Sequence, residues 1–198
     1  MILSTTYADA VAYAAELHRD QVRKGTSIPY LSHLLSVSAL VLEAGGDEEQ
    51  AVAALLHDAL EDQGERTSFG EIEERFGARV ADIVRECSDT EEQPKPPWRA
   101  RKEAYLDHLG QASGGAALVS AADKLHNARS IVGDLRSVGP SVWTRFNAGP
   151  EDQIWYYSRL VEVLQLRLPE LRLVQELERI VEEMRILTLR AGNNAAAC

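Results

Sequence analysis

Residues 53–62 read Ala-Ala-Leu-Leu-His57-Asp58-Ala-Leu-Glu61-Asp62. A His–Asp pair, followed by two more acids, interrupts an otherwise apolar stretch. Asp47 has the character of an N-cap, so a single helix is predicted from it to about residue 62. Residues three and four apart are neighbours on a helix. His57 then lies above Glu61, and Asp58 above both Glu61 and Asp62. One helix would offer two metal-ligating side chains and, a turn later, two carboxylates. The plain alternative is a polar face ending in a capping acid. It fits poorly, because the helix dipole disfavours negative charge at a C-terminus.

The flanking chain reads as further helices, with no alternating β-branched run bounded by hairpin turns. A first helix is predicted over about 6–18, with Ala10, Val11, Ala14 and Leu17 at helical spacing. A second over about 30–43 ends at Gly45-Gly46, a C-cap signal. Ser68 caps a short helix with Glu71 placed for a capping box, and Gly77 separates it from another over 78–88. The segment DTEEQPKPP, 89–97, is the clear break, since its prolines cannot sit inside a helix. It is expected to form a surface loop. Helices follow over about 98–109 and 116–137. Gly139-Pro140 interrupts the chain, Pro150 suits the first turn of the next helix, and Pro169 starts the last. The expected architecture is all-α, in one domain over 1–190. Core motifs fall at 7–135, C-terminal helices at 140–190, and a frayed tail at 191–198.

Two further groups could carry chemistry. In Ala121-Ala-Asp123-Lys124-Leu-His126-Asn127-Ala-Arg-Ser130, helical periodicity puts Asp123, Asn127, Ser130 and Asp134 on one stripe. Leu118, Ala121, Ala122, Leu125 and Val132 fall opposite. A solvated face would favour Lys and Glu, which are better helix formers than Asp, Asn and Ser. The stripe therefore suits the wall of a polar pocket. The third group, Arg23-Lys24-Gly-Thr-Ser-Ile-Pro-Tyr-Leu-Ser-His33, places two cations in a loop ahead of a histidine. Together His33, His57, Asp58 and Asp123 supply two imidazoles and two carboxylates. Such a set suits a borderline-to-hard divalent ion such as Mn, Fe or Co. A structural zinc site would be richer in cysteine. Hydrolysis of a phosphate ester or pyrophosphate needs such an ion.

Composition narrows the function classes. The chain has 198 residues, 45% hydrophobic and 26% charged, which excludes disordered and low-complexity classes. With 21 Lys+Arg against 31 Asp+Glu, its formal charge is −10, which repels nucleic acid and anionic membranes at long range. No nucleic-acid or membrane partner is expected, and an anionic ligand needs a local basic patch or a metal. Cys87 and Cys198 form no disulfide framework and point to a reducing compartment. Apolar stretches such as 51–56 fall far short of the roughly 18 residues of a membrane span. The start, MILSTTYADA, lacks a basic region followed by an apolar core, so no signal peptide is expected. A cytoplasmic location is the expectation.

The ordered set RKGTSIPYLSH (23–33), AALLHDALED (53–62), FGARVADIVRECSD (76–89) and ADKLHNARSI (122–131) resembles the HD-domain metal-dependent phosphohydrolases. It is most similar to the hydrolase domain of RelA/SpoT-type alarmone enzymes and to stand-alone small alarmone hydrolases. The segment RFNAGPEDQIWYY, 145–157, is similar to bacterial stand-alone members. Leu34 departs from the proline many relatives carry there, which bears on the helix start and not on the ligand. The resemblance implies a helical HD-domain bundle in which His33, His57, Asp58 and Asp123 bind one Mn²⁺. It implies that Glu61 and Asp62 stand beside the attacking water, and that Arg23, Lys24 and Asn127 hold the nucleotide. Lys95, Arg99 and Lys102 are further cations expected to help with phosphates. The implied activity removes 3′-pyrophosphate from guanosine alarmones such as ppGpp and pppGpp, in the stringent response. Another phosphorylated nucleotide (a ppApp-type compound or NADPH) and a non-catalytic nucleotide sensor are the alternatives.

Overall fold

The computed structural model describes residues 2–88 and 96–196, with side chains as far as residue 190. The helices are α1 Thr5–Leu17, α2 Leu31–Glu43, α3 Glu48–Leu56, α4 Ala59–Asp62, α5 Phe69–Phe76, α6 Ala78–Cys87, α7 Trp98–Leu109, α8 Gly114–Val138, α9 Pro150–Arg167 and α10 Arg172–Ala196, with a 3₁₀ segment at Gly139–Arg145. The only pairing of β type among the described residues is an isolated bridge between Val22 and Pro29. The all-helical expectation is met. No helix among the described residues is long and apolar enough to cross a membrane.

Local chemistry sets the helix ends. Asp47 accepts from the Gln50 backbone while the Gln50 side chain returns a bond to Asp47, a complete capping box. Ser68 and Ser113 cap α5 and α8 in the simpler way, each accepting from the backbone N–H three residues on. Helix α2 closes in a Schellman arrangement. Gly45 adopts φ +84° and the Gly46 N–H reaches the Val41 carbonyl at 2.9 Å. A β-carbon at Gly46 would meet Val41 Cγ1 at 2.6 Å and the Val41 carbonyl at 2.8 Å, with Leu118 beyond. Gly46→Ala is therefore expected to cost about 1–3 kcal/mol, the scale of overpacking in a closed core. Chemical denaturation of both proteins measures it, and an unchanged midpoint would show that the turn has room.

Helix α8 is the spine. It packs on α2, α3, α6, α9, α10 and the 3₁₀ segment. Its predicted apolar back is the buried one, with Ala121, Ala122, Leu125 and Val132 at 0–1% exposure. Leu34, Leu55, Leu56, Leu160, Leu164, Leu177 and Met184 complete a core that holds the polar front of α8 against α2 and α3.

One prediction needs correcting. The stretch 47–62 is not one helix: α3 stops at Leu56, and His57-Asp58 form a turn before α4. The cause is His57 itself. Its Nδ1 donates to the Ala54 carbonyl at 2.9 Å, within the turn that would have continued the ladder. Asp58 sits at φ −98°, ψ 0°, off the helical basin. The break aims both side chains at one point.

Candidate active site

Four side chains from two helices and one turn converge. His33 comes from α2, His57 and Asp58 from the turn after α3, and Asp123 from α8. His33, His57 and Asp58 each present one donor atom within 4.8 Å of the others. Asp123 Oδ1 lies 3.1 Å from His33 Nε2 and 3.6 Å from His57 Nε2. Asp58 Oδ2 lies 3.7 Å and 3.0 Å from the same two nitrogens. His33, His57 and Asp123 are at most 5% exposed, so water cannot serve them freely.

The arrangement fits a divalent cation. Both Nε2 atoms are buried without a hydrogen-bond partner, although carboxylate oxygens stand close by. Orphaned buried nitrogens are costly unless something else occupies the point they share. The His57 ring orientation is fixed, because a carbonyl can only accept: Nδ1 carries a proton and Nε2 is the nitrogen turned toward the shared point. The field at that point is negative. Burial alone would push the His57 pKa down, yet the carboxylates of Asp58 and Asp123 raise it well above the usual imidazole range. Burial would likewise raise Asp58 and Asp123. His57 chiefly holds Asp58 down and Lys124 chiefly holds Asp123 down, so both stay ionised.

Each acid is held by a donor. Tyr30 Oη donates to Asp58 Oδ2 at 2.6 Å, and burial followed by the Asp58 charge keeps that phenol protonated. Asn127 Nδ2 donates to Asp123 Oδ1 at 2.6 Å, and Lys124 Nζ to Oδ2 at 2.5 Å. Burial opposes the Lys124 charge, but Asp123 more than restores it. On His33, Nδ1 lies 2.8 Å from Nδ1 of His126. Burial first, then His33 and Arg23, hold His126 neutral with its pKa lowered to about 4.

A cavity of about 520 Å³ opens beside this cluster, a size that takes a nucleotide-like ligand. Arg23, Lys24, Lys102, Lys124 and Arg145 line it against the carboxylate of Asp134, the one acid in its lining among the described residues. The protein is acidic, yet this concavity is cationic. Asn127, Ser130 and Asp134 line it as the α8 stripe predicts, while Asp123, the first member, turns into the metal cluster. The basic loop is an ordered wall. Its ends pair at Val22 and Pro29, and the Thr26 backbone N–H and hydroxyl both donate to the Arg23 carbonyl. Arg23 Nη2 donates to Asn127 Oδ1 at 2.8 Å, which links the loop to Asp123 through one amide. Lys24 Nζ donates to Asn147 Oδ1 at 3.2 Å. Gly25, at φ +72°, leaves room for Arg145, whose Cδ stands 2.7 Å from where a β-carbon would be. Asp134 fixes the Arg145 guanidinium at 2.6 Å.

Glu61 and Asp62 stand on α4, outside the lining of this cavity. Asp62 Oδ2 accepts from Gln21 Nε2 at 2.8 Å. Gln21 is fixed in turn, its Oε1 2.7 Å from His18 Nδ1 and 2.8 Å from Gln63 Nε2. His18 stacks on Tyr30 with ring centres 5.4 Å apart, which ties this network to Asp58. Arg66 donates to the Glu16 and Leu17 carbonyls and pins the segment after α4 to the end of α1. Of the other expected cations, Lys102 lines the cavity. Arg99 instead stacks on Trp155 and pairs with Glu103 and Asp152. Lys95 and most of the 89–97 loop fall outside the described residues.

Several contributors were not assigned from sequence. Lys124 and His126 lay within a motif that was recognised, but neighbours in sequence on a helix ordinarily diverge. Tyr30 was read only as the start of the second helix. Arg145 arrives on a 3₁₀ segment too short to show periodicity.

Comparison with known proteins places the arrangement. The sequence profile of the HD domain matches residues 10–154. A guanosine-3′,5′-bis(diphosphate) 3′-pyrophosphohydrolase, MESH1, of Xenopus tropicalis is 40% identical over 139 residues, 69% of this chain and 73% of that protein. Its namesake in Drosophila melanogaster is 34% identical over 187 residues, 93% of this chain and 97% of that one. A solved structure described as a metazoan ortholog of SpoT that hydrolyzes ppGpp superposes with TM-score 0.75 at 30% identity. That superposition covers 92% of this chain and 97% of the other.

Proposed function

The chain belongs to the HD-domain family, among its stand-alone alarmone hydrolases, and from that membership we propose a manganese-dependent hydrolase that removes 3′-pyrophosphate from ppGpp and pppGpp. It would act in the cytoplasm, in turnover of the stringent-response nucleotide. The observation that carries the reading is a buried two-imidazole, two-carboxylate cluster beside a cationic cavity of nucleotide size. The mixed nitrogen and oxygen donor set is what favours manganese.

In this reading His33, His57, Asp58 and Asp123 hold the ion. When bound, it supplies Lewis-acid polarisation of a phosphoryl oxygen and a lowered pKa for the attacking water. Tyr30, Asn127 and Lys124 keep the two ligating carboxylates ionised and oriented. Glu61 and Asp62 receive the proton of the attacking water, and Gln21 fixes the Asp62 carboxylate for that task. The water oxygen bonds to phosphorus, the bond from phosphorus to the ribose 3′ oxygen breaks, and the proton returns to that oxygen. Arg23, Lys24, Lys102 and Arg145, with Asn127 and Lys95, neutralise the phosphates. The full donor set favours turnover over a sensor that binds without reacting. Product analysis tests the reaction: ppGpp should yield GDP and pyrophosphate. Release of single phosphates, or preference for a ppApp-type compound or NADPH, would refute the assigned bond or substrate.

The basic loop gives a separate expectation. Arg23→Ala and Lys24→Ala should each raise KM about tenfold or more, since a charged hydrogen bond contributes about 1.5–3 kcal/mol. Metal content should stay normal, and the penalty should shrink for nucleotides with fewer phosphates. A Michaelis–Menten series over graded phosphate number measures it. Wild-type KM across that series would reduce the pair to a surface turn.

A further inference from the structure

His126 is left without a task by the proposed chemistry, yet it touches a metal-binding histidine. Its Nδ1 stands 2.8 Å from Nδ1 of His33, and the two ring centres are 4.8 Å apart. A nitrogen-to-nitrogen hydrogen bond holds one proton, so one ring donates and the other accepts. The direction decides whether His33 can bind a cation. If His126 donates, the His33 proton sits on Nε2 and blocks the atom that faces Asp58 and Asp123. If His126 accepts, Nε2 is bare.

Two observations select the second arrangement. His33 Nε2 is buried, and although it lies 3.1 Å from Asp123 Oδ1 it has no acceptor aligned for an N–H bond. A proton on Nε2 would be stranded. His57 is the internal precedent: its Nδ1–H donates to the Ala54 carbonyl, which turns its own Nε2 toward the same point.

We propose that His126 is a positioning residue that accepts the Nδ1–H of His33, and so fixes the tautomer and ring orientation in which His33 Nε2 binds the metal. It does for His33 what the Ala54 carbonyl does for His57. Groups that orient ligating histidines in this way contribute about 10–100-fold to metal affinity. The inference rests on His33 being a ligand, as in the proposed function, but its first readout needs no metal.

The test has two arms. In metal-free wild-type protein labelled with ¹⁵N-histidine, the ring-nitrogen shifts of His33 should report a protonated Nδ1 and a bare Nε2, with His126 in the opposite form. In His126→Leu the His33 proton should move toward Nε2, and Mn²⁺ binding, followed by the EPR signal of the free ion, should weaken about 10–100-fold. His126→Asn, which restores an oxygen acceptor, should recover most of both. A wild-type His33 protonated on Nε2 overturns the inference without any variant. So does a His126→Leu protein with the wild-type tautomer and Mn²⁺ affinity. Failure of the metal reading looks different: wild-type protein would then bind no Mn²⁺, whatever tautomer His33 shows.

Discussion

His57→Ala and Asp123→Ala are each expected to abolish metal binding and turnover. Four protein donors leave no spare, and among the described residues the cluster facing that point is His33, His57 and Asp58 with Asp123 beside it. Asp123 carries the larger structural share. Its Oδ2 neutralises Lys124 and its Oδ1 holds Asn127, which in turn holds Arg23. Removing it strands a buried ammonium, an effect of about 3–5 kcal/mol. Asp123→Asn is therefore the companion variant, keeping the shape without the charge. Elemental analysis of folded protein is the measurement. A full equivalent of metal in both alanine variants would overturn the ligand assignment.

Glu61→Gln and Asp62→Asn are expected to keep the metal and lose kcat. Positioned proton transfer contributes about 10²–10⁴-fold, and that is the loss expected for the residue that accepts the water proton. Neither acid belongs to the donor set, so metal content should stay at one equivalent. The hydrogen bond from Gln21 to Asp62 adds a distinction. An amide at position 62 must share that contact with a second donor, so its orientation is less well held than that of the carboxylate. Single-turnover rates beside metal content decide the matter. Unchanged kcat in both variants would make these carboxylates structural.

Most of the His–Asp cluster was legible in the sequence because its members break a local pattern. His57-Asp58 interrupts an apolar run, and Asp123 heads a stripe of short polar residues opposite a continuous apolar back. The caps at Asp47 and Ser68 follow from neighbours a few residues away, so the helix starts near them were legible. The break of 47–62 was not, because the His57 side chain captures the Ala54 carbonyl where helical spacing alone continues the ladder. What Asp62 touches was equally hidden. Its partner Gln21 lies 41 positions away and is itself placed by His18 and Gln63. Arg145 reaches the cavity across a glycine at positive φ, and periodicity carries no trace of that contact. Arg99 shows the opposite failure. Its position in a basic stretch suggested phosphate binding, but an aromatic ring and two acids claim it.

Pyrophosphate release from ppGpp, measured on purified protein before and after chelation, tests the central claim most directly. The account predicts GDP and pyrophosphate from the native protein, loss of the reaction with chelator, and its return when Mn²⁺ is restored in excess. Hydrolysis that continues undiminished in chelator would contradict it, as would metal-loaded protein that releases no pyrophosphate from ppGpp.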